Sequence, residues 1–268
     1  MTAPSTTPHQ ASTAAPRGQL VLVPNTLDLG TDTEVSLHEV LPLAVIERAA
    51  RLTHWVAENA KTTRALLKRV ASITPLALPL QQIQITELPR PQKGAKPGAA
   101  PAADLAALLT PALAGRDVGL LSEAGLPAVA DPGALLVQAA HKLGISVLPL
   151  SGPTSLLLAL AASGLNGQSF AFVGYLPVEA GARSARIREL EALSRKWEQT
   201  QIAIETPYRN DALLGALVDS LQPGTRLSVA SGLTLPQGEC RTLTVQAWRQ
   251  QAGRSLGRLP AVFSWLAS

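Results

Sequence analysis

The sequence predicts an α/β protein in which a parallel N-terminal α/β domain precedes a mixed α/β domain. Two observations carry this. Between Val118 and Leu165 the chain reads apolar run, small-residue loop, helix, apolar run, small-residue loop, helix, the pattern of a parallel βαβ sheet. Beyond residue 165 the strand-like runs become more frequent and the helices fewer, as in a mixed sheet. A length of 268 residues and 46% hydrophobic residues suffice for a sizeable core in one or two domains. We expect a tail over 1–18, a first domain over 19–151 and a second over 152–268.

Met1–Gly18 is rich in Thr, Ala, Ser and Pro and almost devoid of large apolar residues, so a disordered tail is expected. Gln19–Val23 reads as the first strand. Helical periodicity over Glu34–Ala50 meets Pro42, which should break it. Leu52–Val56 is a second strand, followed by a loop through Arg64 and a helix over Ala65–Val70. Leu76–Leu88 is apolar and interrupted by proline, and its pattern supports no assignment. Residues 88–103 form a Pro/Ala/Gly-rich stretch whose composition suits a plain connection. A helix follows over Asp104–Ala114, with Asp104 as N-cap.

Val118–Leu121 has the length and composition of a buried parallel strand. The loop Ser122-Glu123-Ala124-Gly125-Leu126-Pro127 follows it, and Asp131-Pro132-Gly133 opens a helix with Asp131 as its cap. Gly144 ends that helix. Ile145–Leu150 is the next strand, and Ser151-Gly152-Pro153-Thr154-Ser155 leads into a helix. In open α/β sheets ligands bind beyond the carboxyl ends of the strands, where these two loops lie. Phe170–Tyr175, Gln201–Glu205, Arg226–Ala230, Gly238–Val245 and Ala261–Trp265 read as strands. Arg183–Gln199 and Asp211–Leu221 read as helices, the first with a solvated basic face.

Several classes of function are disfavoured. Cys240 is the single cysteine, which excludes an internal disulfide. His38, His54 and His141 lie apart, at no metal-ligand spacing, so no metal is expected. Neither G-x-G-x-x-G nor G-x-x-x-x-G-K-[ST] occurs, so dinucleotide and P-loop signatures are missing. No apolar run could span a bilayer and no signal peptide is visible, so we expect a cytoplasmic protein with no membrane partner. A net charge of +4 is compatible with a phosphate-bearing partner and equally with an ordinary arginine-rich surface. The four tryptophans are scattered and read as core.

Five segments, SEAGLPAVADPG, PLSGPTSLLLALAASGL, FVGYLP, ETPYR and the closing LPAVF, occur in an order that resembles the tetrapyrrole methylase superfamily. The nearest branch is that of ribosomal RNA small subunit methyltransferases. Its asp-ala-gly-thr-pro…asp-pro-gly loop is matched by Glu123–Pro127 and Asp131–Gly133, its pro-gly-pro-ser/cys loop by Ser151–Thr154. Its tyr-glu-ser-pro-his-arg motif is matched by Ile204–Arg209 and its glu-asp-thr-arg motif by Glu58-Asn59-Ala60-Lys61. The chain departs from the branch at Asp28 and Leu29, where glycine and asparagine are usual, at Asn59 and Lys61, and at Gly232–Leu235, which lacks two charges. It also ends soon after LPAVF, where many members continue.

The resemblance implies two α/β domains with S-adenosylmethionine in the cleft between them, commonly in a homodimer. Carried over by position, the cofactor contacts would be Glu123, Ala124, Gly125, Val129 and Ala130 from the first loop and Thr154 and Ser155 from the second. Ile204, Glu205, Val229, Ala230, Pro260 and Ala261 would complete the site from the second domain. Glu58, Lys61 and Arg209 are the candidates for the acceptor side, where a ribose hydroxyl would need a base or a polarising group. The implied activity is methyl transfer to RNA, at a ribose 2′-oxygen of ribosomal RNA. A small-molecule acceptor such as a tetrapyrrole, or an inactive paralogue that still binds S-adenosylmethionine, stays open.

Overall fold

The computed structural model describes residues 16–28, 30–89, 102–251 and 255–268. Its strands are β1 (Leu20–Leu22), β2 (His54–Ala57), β3 (Gln84–Glu87), β4 (Val118–Leu121), β5 (Val147–Pro149), β6 (Phe170–Tyr175), β7 (Thr200–Glu205), β8 (Arg226–Ser231), β9 (Glu239–Thr244) and β10 (Ala261–Leu266). Its helices are α1 (Leu37–Val40), α2 (Leu43–Arg51), α3 (Ala60–Ala71), α4 (Ala102–Ala107), α5 (Thr110–Leu113), α6 (Ala134–Lys142), α7 (Ser155–Ser163), α8 (Ala180–Trp197), α9 (Asn210–Ser220) and α10 (Val245–Arg249).

The first five strands form one sheet in the order β3-β2-β4-β1-β5, every pair parallel. The others form a second sheet, β6-β7-β10-β8-β9, in which only β6 and β7 run parallel. In the first sheet, alternation along β1 sends Val21 and Val23 to one face with Ile46, Leu67 and Trp55. Leu20 and Leu22 go to the other with Leu109, Leu120 and Leu136. Both faces are therefore covered, as a parallel sheet requires. In the second sheet β10 is central and all six of its residues are buried. Helices α8, α9 and α10 cover one face around Phe263 and Trp265, while α7 packs Leu156 and Leu160 against Ile202, Ala230 and Val262 on the other.

Local chemistry explains where the elements depart from the sequence reading. Pro42 separates α1 from α2 as expected. Helix α3 begins at Ala60, five residues early, because the Asn59 side chain accepts from the Lys61 N–H and caps it. Strand β3 emerges from the unassigned Leu76–Leu88. Asp104 lies inside α4 instead of capping it, and Pro111, which has no N–H to give, splits the expected helix into α4 and α5. The cap of α6 is Gly133 at φ 132°, not Asp131. Trp55, Trp248 and Trp265 are core, whereas Trp197 is 59% exposed, with the Lys196 ammonium 4.7 Å from its ring centre. Residues 1–15 of the expected tail and 90–101 of the Pro/Ala-rich stretch lie outside the described residues. Gly18, placed at the end of the tail, is instead held by an N–H bond to the Ala112 carbonyl at 2.8 Å. Among the described residues no helix is long and apolar enough to cross a membrane.

Gly119 on β4 pairs with Trp55 on β2, and the indole lies where its side chain would be. A Cβ there would stand 2.6 Å from Trp55 Cε3 and 3.0 Å from Leu52 Cδ1. Gly119→Ala should therefore destabilise the fold by about 1–3 kcal/mol through overpacking. At roughly 2–4 °C per kcal/mol for a chain of this size, the melting temperature should fall by several degrees. An unchanged midpoint in thermal unfolding would show that the indole is free to move aside.

Candidate active-site cleft

Strands β2 and β4 run side by side, with Ala57 opposite Leu121, so the residues that follow them emerge together. Glu58 follows β2, and Ser122-Glu123 follows β4. The Glu58 carboxylate accepts the Glu123 N–H at 3.1 Å, and Asn59 Nδ2 donates to Glu123 Oε1 at 2.8 Å. From the end of β1, Asn25 Nδ2 donates to the Ser122 and Glu123 carbonyls at 3.3 and 2.9 Å, while its N–H reaches the Gly125 carbonyl at 2.8 Å. The ends of β1 and β2 thus pin the start of the β4 loop. Gly152 lies against Pro24 so closely that a Cβ would meet the proline ring at 2.3 Å, which brings the β5 loop in beside the β1 loop.

These loops form one wall of a cleft of about 420 Å³. Glu123, Ala124, Gly125, Val129, Ala130 and Asp131 come from the β4 loop, and Thr154 and Ser155 from the start of α7. The second sheet supplies the opposite wall with Ile204 and Glu205 at the end of β7, Gly232 and Leu233 after β8, and Pro260, Ala261 and Val262 at β10. Glu58, Leu27, Tyr175 and Pro207 also face the space. Ala128 and Ala130 sit at φ 66° and 65°, in the left-handed region that alanine rarely adopts. Between them Val129, which also lines the cleft, is 41% exposed.

The cleft carries four carboxylates, Glu58, Glu123, Asp131 and Glu205. Burial raises the Glu58 pKa; the Glu123 N–H opposes this and the Glu123 charge adds to it. Burial, and then the charges of Glu58 and Glu123, push Asp131 up to about 7. Burial also raises Tyr175, helped by Asp131, Glu205 and Glu58. Glu205 is buried but matched by Arg209 at 3.0 Å, and it accepts the Thr206 N–H at 2.8 Å. Beneath Leu27, Asp28 accepts from the Thr26 hydroxyl and the Val35 N–H and pairs with Arg69 at 3.3 Å. Burial alone would raise Asp28, but these partners outweigh it and hold its pKa below the usual value.

Most of the expected cofactor positions face this one cleft. Val229 and Ala230 do not: β8 pairs with β10 at both positions and buries them in the core, and the chain reaches the cleft only at Gly232. Of the acceptor-side candidates Glu58 lines the cleft, Lys61 is an exposed residue in the first turn of α3, and Arg209 is engaged with Glu205 outside the lining. Asp131 and Tyr175 escaped the sequence reading. In the sequence Asp131-Pro132-Gly133 has the form of a helix start, and only burial beside two acids distinguishes Asp131. Among the described residues no three His, Cys, Asp or Glu side chains, the cleft carboxylates included, are grouped so that they could hold a metal ion.

The model of the Tetrapyrrole (Corrin/Porphyrin) Methylases family matches residues 40–247. Over 133 residues the chain is 41% identical to ribosomal RNA small subunit methyltransferase I of Mesorhizobium japonicum, covering 50% of this chain and 44% of that protein. Over 122 residues it is 38% identical to the protein of the same name from Vibrio cholerae, covering 46% and 41%. The matches thus span less than half the length of these curated relatives. Its fold is similar to that of uroporphyrin-III C-methyltransferase from Thermus thermophilus complexed with S-adenosylhomocysteine. That likeness has a TM-score of 0.51 and 18% identity and covers 93% of this chain and 97% of that one. It is also similar to a cobalt precorrin-4 methyltransferase, at TM-score 0.53 and 11% identity, over 96% and 98%. With its family model matched over most of its length and two sheets facing one acidic cleft, the chain belongs to the tetrapyrrole methylase family.

Proposed function

We propose that the cleft binds S-adenosylmethionine and that the chain is a methyltransferase acting on a ribose 2′-hydroxyl of small-subunit ribosomal RNA. The observation that carries this is the convergence of Glu58, Glu123, Asp131 and Glu205 on a space walled by small residues and backbone. Such walls admit close approach to an adenosine, and carboxylates suit a ligand that carries a sulfonium and an ammonium. Glu123, Ala124, Gly125, Val129, Ala130, Thr154 and Ser155 would hold it from one side, and Ile204, Glu205, Pro260 and Ala261 from the other. The cofactor supplies an electrophilic methyl group that is transferred by in-line displacement, so alignment and exclusion of water are the main demands on the protein. Asp131 is the group fitted to take the proton released from the acceptor hydroxyl, because a base with a pKa near the working pH is the most efficient. The names of the curated relatives support RNA as acceptor, and location in the cytoplasm belongs to the same reading.

A homodimer is part of this proposal. Edge strand β6 leaves Phe170, Phe172 and Tyr175 exposed, and Val178 beyond it is 72% exposed. Sedimentation should give twice the chain mass, reverting to the monomer in Phe172→Asp. A wild-type monomer at micromolar concentration would sink this part.

Thermal unfolding tests the cofactor. Ligand at 100 times its dissociation constant adds about 2.7 kcal/mol to the folded state, so both S-adenosylmethionine and S-adenosylhomocysteine should raise the midpoint by several degrees. No shift with either would remove the methyltransferase reading. Incorporation of labelled methyl into RNA should fall steeply with salt, whereas a small-molecule acceptor would show little dependence.

The pH dependence of Asp131 supplies another check. Its folded pKa of about 7 lies above the ordinary aspartate value of 3.8, so the folded state binds the extra proton and loses stability as pH rises from about 4 to 7. Asp131→Asn should melt higher than wild type above pH 7 and match it near pH 4. A bound cation favours the ionised carboxylate, so wild-type affinity for S-adenosylmethionine should rise with pH through about 7. The variant should lose that rise and most of its turnover. Parallel pH profiles in the two proteins would rule Asp131 out as the titrating group.

A further inference from the structure

Pro207 lines the cleft on one side, and on its other side stands a second depression of about 320 Å³ bounded by Tyr208, Asp211, Ser255, Gly257 and Arg258. Its volume is at the lower end of small-ligand sites. Tyr208 is 77% exposed, the highest value among the large apolar and aromatic side chains of the described residues. Arg258 is exposed and has no ion-pair partner among the described residues.

Both walls are fastened to the start of α9. The Asp211 carboxylate accepts the Ser255 hydroxyl at 2.6 Å and the Leu256 N–H at 2.7 Å, and the Gly257 N–H bonds Ser255 Oγ at 3.1 Å. Asn210 Nδ2 donates to the Leu259 carbonyl at 2.8 Å. On the Tyr208 side, the Arg209–Glu205 ion pair and the bond from the Arg209 N–H to the Thr206 carbonyl at 2.9 Å hold the turn. The depression is therefore preformed. Arg209 is spoken for by Glu205, while among the described residues no ion pair engages Arg258 and no hydrogen bond engages the Tyr208 side chain.

We propose that this depression seats the nucleotide adjoining the methylated one, its base stacked on Tyr208 and its phosphate paired with Arg258. The inference rests on the RNA reading given above. A polyanionic acceptor is repelled by the carboxylates of the cleft itself, so its neighbouring phosphates need a cation just outside them. Arg258 supplies one, across a wall that the cleft shares. An exposed aromatic ring beside a cation is the pairing that single-stranded nucleic acid uses, because every base offers a π face.

The test measures equilibrium binding of transcribed, unmethylated small-subunit ribosomal RNA, with S-adenosylhomocysteine titrated separately by calorimetry. Tyr208→Ala should weaken RNA binding about tenfold, and Tyr208→Phe should keep it. Arg258→Gln should weaken binding and lower the slope of log affinity against log salt by about one. All three variants should bind S-adenosylhomocysteine as wild type does, which also reports an intact fold. If wild type binds the RNA and both Tyr208→Ala and Arg258→Gln match it, the subsite is wrong while the RNA reading stands. Loss of S-adenosylhomocysteine affinity in Tyr208→Ala would place the ring in the cofactor wall and overturn the proposal. A wild-type chain that binds S-adenosylhomocysteine but not the RNA overturns the RNA reading, and the subsite with it.

Discussion

Everything at the cleft depends on two acidic residues emerging from neighbouring parallel strands. Glu58 and Glu123 would repel one another as bare carboxylates, and the chain resolves this by giving each a backbone or amide donor. The Glu123 N–H goes to Glu58, and the Asn59 amide goes to Glu123. The negative charge is retained but held in place. Asp131 is then partly buried in the same wall, and this loss of solvation, with the two fixed charges adding to it, makes its proton reluctant to leave. A cleft built this way is incomplete in its electrostatics and favours any cation that fits it.

The same bonds account for two departures from the family pattern. An aspartate at position 59 could only accept hydrogen bonds and would stand as a third acid beside Glu58 and Glu123. Asparagine there both caps α3 and donates across to the β4 loop. At position 28, where a glycine is usual, the carboxylate joins the Val35 N–H to Arg69 on α3 and so ties the β1 loop to a helix. Both substitutions are absorbed by named partners, so neither leaves a defect at the site.

How much of this could be read from the sequence divides along physical lines. Strands buried on both faces, such as β1 and β4, are continuous apolar runs and were legible. So were the loops, whose small residues and prolines mark close approach, and Gly144, at φ 67° after α6. What escaped needs three-dimensional neighbours. The burial of Val229 and Ala230 follows from which strand pairs with β8, which no local pattern encodes. The exposure of Trp197 at the last position of α8 is a matter of what packs beside that helix end, which the local pattern does not encode. The role of Asp131 depends on acids some 70 residues upstream and 8 residues away in the chain (Glu58 and Glu123), which only the fold brings near it.

The two left-handed alanines of the β4 loop carry a consequence for motion. Ala128 and Ala130 hold a conformation costing about 1–2 kcal/mol per residue, in a segment that belongs to neither sheet nor helix. The flanking elements β4 and α6 are anchored by Leu120 and Leu136, both fully buried. The segment between them is thus the part of this wall where the native state opens at least cost, and its amides should exchange with solvent long before those of the strand it follows. A ligand that bridges the two walls would close this opening, so the first sign of occupancy would be slowed exchange in the loop, ahead of any change in the sheets.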